Sequence, residues 1–187
     1  APAIGRASRC AWVTAAAVLA AQTCAPTENG QPTEKPTTAV QIVEYAAFKV
    51  VGVELADAEL KPYLITYAWA ALCPKMPLLK HQTQPHLLYG LWYKKPGAEK
   101  HSYLVGVEVT QFEDVPVGMV TCAVPASKFA RTTHRGRIGN LPYTYRVVTE
   151  WMKETGAVHN DAPTFEVHDT RQPITDEYEV LVHEPIK

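Results

Sequence analysis

Asn140 to Asp169 reads NLPYTYRVVTEWMKETGAVHNDAPTFEVHD, and it decides the fold because it holds one helix and one strand in an order found again earlier in the chain. Tyr145, Val148 and Met152, with Val147 and Trp151 beside them, recur at helical spacing and form a single apolar stripe from Asn140 to Thr155. Asn140 can cap this helix by accepting a hydrogen bond from an early backbone N–H. Pro142 sits in the first turn, where its missing N–H costs little, and Gly156 ends the helix. Thr164 to Asp169 then reads as a strand.

Working outward, Glu177 to His183 supplies a second strand, and Met119 to Thr133 (MVTCAVPASKFARTT) a bent strand ahead of the helix. The first half has the same order. Gln41 to Val53 (QIVEYAAFKVVGV) is a bent strand, Tyr63 to Cys73 a helix that Pro74 and Pro77 should end or kink early, and Leu87 to Lys94 and His101 to Thr110 are strands. Tyr67 and Met76 map onto Tyr143 and Met152, Tyr89 onto Phe165, and Tyr103, Val105 and Val107 onto Tyr178, Val180 and Val182, all at nearly one offset. Two helices among so many strands do not make a doubly wound parallel sheet. The expected class is α+β: two pseudo-symmetric β-α-β-β units forming a mainly antiparallel sheet, with both helices on one face and a central ligand groove between the halves.

The first 38 residues differ in character from the rest. Arg6 and Arg9 precede an apolar run from Ala11 to Ala21 and a small, polar stretch through Pro26, the order of a secretory signal. The run is too short to span a bilayer. Cys24 is placed like a lipoprotein acceptor cysteine, although Ala21 and Thr23 match that pattern poorly, and the run can also be read as a short helix packed on the domain. The organisation expected is a signal-like segment over 1–25, a flexible linker over 26–38 and one domain over 39–187, exported and tethered to a membrane, if at all, only through the N-terminus.

Charge excludes some functions. With 18 Lys and Arg against 19 Asp and Glu and no basic block, the counterion-release attraction that drives phosphate-backbone binding is missing, which argues against a nucleic-acid partner. Four cysteines show no CxxC spacing, and Cys73 and Cys122, on a helix and a strand, suit packing as small apolar side chains better than pairing. Seven histidines lie apart from any HExxH-like pattern, so no metal is expected. His134 reads as a turn residue.

YLVGVEVTQFEDVPVGMVT at 103–121, THRG at 133–136, NLPYTY at 140–145, EWMKETG at 150–156, DAPTFEVHD at 161–169 and EYEV at 177–180 together resemble the GyrI-like small-molecule-binding family, the effector-binding domain of AraC-type regulators. QIVEYAAFKVVGVE at 41–54 and YGLWYKK at 89–95 are similar to the family's opening strand and third element, whereas Pro74 to Pro85 and the terminal VHEPIK depart from it. The resemblance implies the same two-unit fold and a groove for aromatic, often cationic, small molecules. It also brings two alternatives: a hydrolase that uses a groove glutamate to activate water, and, in a more distant branch of the superfamily, haem binding, for which His81, His86, His101 and His168 are the histidines to consider. No helix-turn-helix pattern precedes Gln41, and no cofactor is expected from the residues themselves.

The carboxylates singled out are Glu166 and Glu179. If Asp169 pairs with Asp176 across a short hairpin, Glu166 faces Glu179, both opposite the face carrying Phe165, Val167, Tyr178, Val180 and Val182. Two like charges side by side are relaxed by a proton or by a bound cation. The family's carboxylates are implied at these two positions, as cation ligands or as the hydrolytic base, with a one-residue register slip enough to leave them as the wet face of a hairpin. Trp69, Trp92, Tyr103, Trp151, Tyr143 and Tyr67 are the aromatics expected to stack on a flat ligand or face a cation; Trp92 and Tyr93 are adjacent, so only one turns inward.

Overall fold

The computed structural model describes residues 39–187. The signal-like segment and the linker fall outside the described residues. Eight strands form one antiparallel sheet: β1 (Gln41–Tyr45), β2 (Phe48–Leu55), β3 (Leu87–Tyr93), β4 (Ser102–Val109), β5 (Val120–Val124), β6 (Ser127–Arg135), β7 (Thr164–Asp169) and β8 (Glu179–Ile186). Helix α1 (Ile65–Leu72) follows β2 and helix α2 (Leu141–Thr155) follows β6. Their order across the sheet is β1-β6-β8-β7-β3-β4-β2-β5. The fold is the α+β arrangement of two β-α-β-β units expected from the repeat.

Each bent strand breaks at its bend, and the piece before the break joins the other half. β1 precedes β2 in the chain but pairs with β6, and β5 precedes β6 but pairs with β2. The breaks fall at Ala46–Ala47 and at Pro125–Ala126; Pro125 has no N–H to continue a ladder. Exchanging these pieces ties the halves together at both edges of the sheet.

Both faces of the sheet are buried, which the sequence reading did not anticipate for the last hairpin. On one face α1 packs on Val51, Val105 and Val107 and α2 on Ala130 and Ile186. The other face holds an aromatic core in which Tyr45 and Phe48, flanking the first break, contact Phe165 edge-on. Near-continuous burial along β4 and β7 follows from this two-sided covering.

Helix ends behave as their residues dictate, with one exception. α1 stops at Leu72 and tightens into a 3-10 stretch over Cys73–Leu78, where Pro74 and Pro77 cannot donate to an α-helical ladder. Gly156 takes a left-handed φ of 72° and ends α2, and Pro142 lies in its first turn. Asn140 makes no side-chain cap: a 3-10 turn over Ile138–Asn140 already places it in helical conformation, with its own N–H donated to the Arg137 carbonyl. Cys122 is a free, buried thiol, so it is not joined to Cys73. Among the described residues no helix is long and apolar enough to cross a membrane.

Candidate functional site

The middle of the sheet is where the halves meet, along β3 and β7. Gly90 of β3 stands directly opposite Glu166 of β7, and the two are 76 residues apart, the offset of the repeat. A strand pair in which a residue faces its own copy marks the pseudo-two-fold axis. Glu166 therefore sits on that axis, on the face covered by the helices.

Around it the repeat sets two matched shells. Trp69 of α1 corresponds to Tyr145 of α2, Trp92 of β3 to His168 of β7, and Tyr103 of β4 to Tyr178, which immediately precedes β8; all six line one cavity of about 1160 Å³ between the helices. That is ample for a drug-sized molecule. The Trp92 ring meets Tyr103 edge-on at 5.0 Å, Trp69 meets His168 at 4.7 Å, and Tyr178 lies beside His168 at 6.0 Å. Leu141 and Pro142 at the start of α2 and Ile174 from the loop before β8 add apolar wall.

Glu166 is 5% exposed, and both its oxygens are engaged. Tyr145 donates to Oε1 at 2.7 Å, while His168 Nε2 at 2.9 Å and the Tyr103 hydroxyl at 3.4 Å reach Oε2. With Nε2–H donating to the carboxylate, His168 Nδ1 can accept from the Tyr178 hydroxyl, 3.3 Å away. The Trp69 indole in turn hydrogen-bonds the Tyr103 hydroxyl. Burial, and after it the charge of Glu166, hold the Tyr103 and Tyr145 hydroxyls well above the ordinary phenol range, so both remain donors.

Gly90 makes room for this arrangement. A Cβ there would fall 2.1 Å from the Tyr103 hydroxyl oxygen, so the tyrosine occupies the place that any other side chain would take. At the rim, Glu184 on β8 accepts from the Thr164 hydroxyl at 2.7 Å and lies 3.4 Å from His159. That contact raises the pKa of His159 above its ordinary value.

Of the residues expected at the site, Glu166, Trp69, Trp92 and Tyr103 line the cavity, and Glu179, Trp151, Tyr143 and Tyr67 do not. The expected Glu166–Glu179 pair is not formed. Glu166 opposes Val182, so it shares the groove face with Val180 and Val182, and Glu179 points to the other face, where it pairs with Arg135 at 2.9 Å and is 42% exposed. Tyr67 is 68% exposed on the outer side of α1. Tyr143 lies against Arg146, and Trp151 packs near the far end of α2 with Val148 and Ile186. Trp92 sets its ring on Tyr103 in the cavity, and Tyr93, which also borders the cavity, donates to Glu54. His134 is not in a turn but buried in β6, bonded to Thr144 of α2. The sequence does not single out Tyr145, Tyr178 or Glu184 as site residues, and it raises His168 only as a haem candidate. Among the described residues no group of His, Cys, Asp and Glu is arranged to hold a metal ion.

A family model described as the GyrI-like small molecule binding domain matches residues 38–186. The transcriptional regulator BrlR of Pseudomonas aeruginosa is 31% identical over 132 residues, 70% of this chain and 48% of BrlR, so the chain spans about half the length of that relative. Among solved structures, the fold is similar to SAV2435 bound to tetraphenylphosphonium, with a TM-score of 0.66 and 16% identity over 80% of this chain and 94% of that one. It is also similar to EcmrR in its complex with DNA, with a TM-score of 0.55 and 16% identity over 80% of this chain and 57% of EcmrR.

Proposed function

The chain belongs to the GyrI-like small-molecule-binding family, and from that premise we propose that it binds planar or bulky aromatic cations in the groove on its pseudo-two-fold axis. One observation carries this reading. Glu166 is a buried carboxylate that, among the described residues, meets hydroxyls and an imidazole but no Lys or Arg. Hydroxyl donors hold a carboxylate in place without cancelling its charge, and the aromatic rings around it present their faces or edges to whatever enters. A ligand cation supplies what the protein leaves out. The similar structure bound to tetraphenylphosphonium, an aromatic cation, supports the same choice of ligand.

We favour binding over hydrolysis because Tyr145, His168 and Tyr103 hold the Glu166 carboxylate in place among aromatic rings. Haem is less well supported too: His168 is engaged at both ring nitrogens and His101 is bonded to Glu59. For nucleic acid, the charge balance of this domain favours no direct contact, while the similarity to EcmrR bound to DNA places related domains within DNA-binding regulators. We assign the small molecule, not DNA, to this domain, and take the signal-like order from Arg6 to Pro26 as pointing to an exported setting.

Calorimetry with ethidium, a planar cation, and phenanthridine, its uncharged parent ring, at mildly alkaline pH tests this. Glu166→Gln is expected to weaken ethidium about thirtyfold, a loss of about 2 kcal/mol, and phenanthridine far less. Glu179→Gln, on the opposite face, is expected to bind as the wild type does. Equal loss of both ligands in Glu166→Gln would mean that the residue shapes the cavity and does not recognise charge.

A further inference from the structure

The ion-paired carboxylates among the described residues fall into two groups. Those paired with Lys or Arg, namely Glu44, Glu54, Asp114, Asp169, Asp176 and Glu179, all lie outside the cavity lining. The carboxylates paired with histidine among the described residues are Glu59, Glu166 and Glu184, and all three line the cavity. Lys94 and Lys95 border the cavity, but Lys95 is held by Glu54. These three acids are thus left to partners that carry charge only when protonated, and a fourth lining carboxylate, Asp161, lies beside His159.

Glu184 is the second most enclosed of the three, its side chain 13% exposed against 39% for Glu59. It projects from the same face as Val180 and Val182, an otherwise apolar row, where a charge is costly unless something compensates it. Thr164 and His159 both reach one oxygen, Oε2. Continuing the β7–β8 register sets Glu184 across from Thr164, two residues from Glu166 along β7, which separates the two acids by roughly 8 Å on one wall.

We propose that Glu184 is a second cation position in this cavity, so that the site prefers aromatic dications over monocations, and that protonated His159 competes for that position. The proposal rests on the reading of Glu166 as the first cation position. His159 faces Glu184 across an isolated bridge to Ile186 and has Asp161 beside it in its own loop; Glu184 faces Thr164 of β7, His159 and, from α2, Tyr145. As the medium is acidified, the imidazolium forms and is drawn to Glu184, and the second charge of a ligand loses its partner. As pH rises the imidazole becomes neutral and releases the position.

Ethidium and propidium make a matched test, since they share one phenanthridinium ring and propidium adds a quaternary ammonium on a three-carbon arm. At mildly alkaline pH the wild type is expected to bind propidium about five- to tenfold more tightly than ethidium. In Glu184→Gln, checked for folding by its melting curve, the ratio should collapse toward one, while Glu166→Gln should weaken both dyes and keep the ratio. In wild type the ratio should also fall as pH is lowered through the titration of His159, and His159→Gln should remove that dependence, which tests the idea without the Glu184 variant. A ratio near one in wild type, a ratio that survives Glu184→Gln, or a ratio lost instead in Glu59→Gln overturns the assignment. If the wild type binds neither dye, the aromatic-cation reading itself fails and this one with it.

Discussion

Gly90→Ala is expected to cost the domain about 3 kcal/mol and to disorder the cavity floor in the same step. The new methyl would lie 2.1 Å from the Tyr103 hydroxyl oxygen and 2.8 Å from its Cζ, distances that real side chains do not tolerate. Tyr103 has nowhere to go. It is fully buried, its ring lies against Trp92, and Trp69 hydrogen-bonds its hydroxyl. Overpacking of this kind costs about 1 to 3 kcal/mol, and displacing the hydroxyl from Glu166 adds about 1 kcal/mol more. For a domain of this size the melting temperature should fall by roughly 10 °C. Tyr103→Phe placed on top of Gly90→Ala removes the nearest clashing atom, so the double variant should melt above Gly90→Ala alone, although it lacks the hydroxyl's contacts with Glu166 and Trp69. A Gly90→Ala protein that melts with the wild type would show that the axis position has room and that Gly90 is not what seats Tyr103.

The same residue shows what could be read in advance. The offset of 76 residues was visible in Tyr67, Tyr143, Tyr89 and Phe165, and it located the fold because a repeated β-α-β-β order admits few architectures. It did not single out Gly90 and Glu166, which are copies of each other yet share no chemistry. Their importance comes from pairing across the axis, and pairing is a property of the sheet. The helices show a related limit. Tyr67 and Tyr143 matched as aromatics, but the cavity is lined by Trp69 and Tyr145, two residues on and therefore about 200° around the helix. Tyr145 lies on the apolar stripe of α2, but a stripe tells only which side turns inward, not whether core or cavity meets it.

The hairpin register failed for a local reason. A short loop over Thr170 to Thr175, with Asp169 paired to Asp176, is the expectation, but the chain runs from Thr170 to Tyr178 before pairing resumes at Glu179. Asp169 holds Arg171 through its side chain, Gln172 accepts from the Glu179 N–H, and the Gly136 N–H binds the Tyr178 carbonyl, so these residues form a structured loop. The resulting three-residue shift changes parity and sends Glu179 to the face away from Glu166. Alternation did not reveal this, because Phe165 and Val167 bury on one face while Val180 and Val182 bury on the other. A hairpin apolar on both sides has no wet face to read.

Acid should destabilise the domain through a histidine that no binding role requires. His183 is fully buried on β8, on the sheet face away from the groove, stacked on Phe165 at 4.1 Å with the Tyr45 hydroxyl 3.0 Å from its Nε2. Burial, and after it the charge of Arg131 directly across on β6, pushes its pKa from 6.5 down to about 3. A histidine whose folded pKa is depressed binds fewer protons folded than unfolded between those two values, so its contribution is full above about 6.5 and is lost as pH falls toward 3. Over the interval from about pH 7 to about pH 5 this amounts to about 2 kcal/mol, before most carboxylates begin to titrate. His134, also depressed by burial, acts in the same direction, and His159, raised by Glu184, in the opposite one. Urea titrations of wild type and His183→Phe across that interval isolate the one residue, since the other two are common to both proteins. Phenylalanine keeps a ring against Phe165 and cannot take a proton, so its stability should vary with pH by about 2 kcal/mol less than that of the wild type. Parallel pH profiles for the two proteins would mean that His183 reaches solvent or a proton acceptor in the folded state, and that the back face of the sheet is not the sealed aromatic core described above.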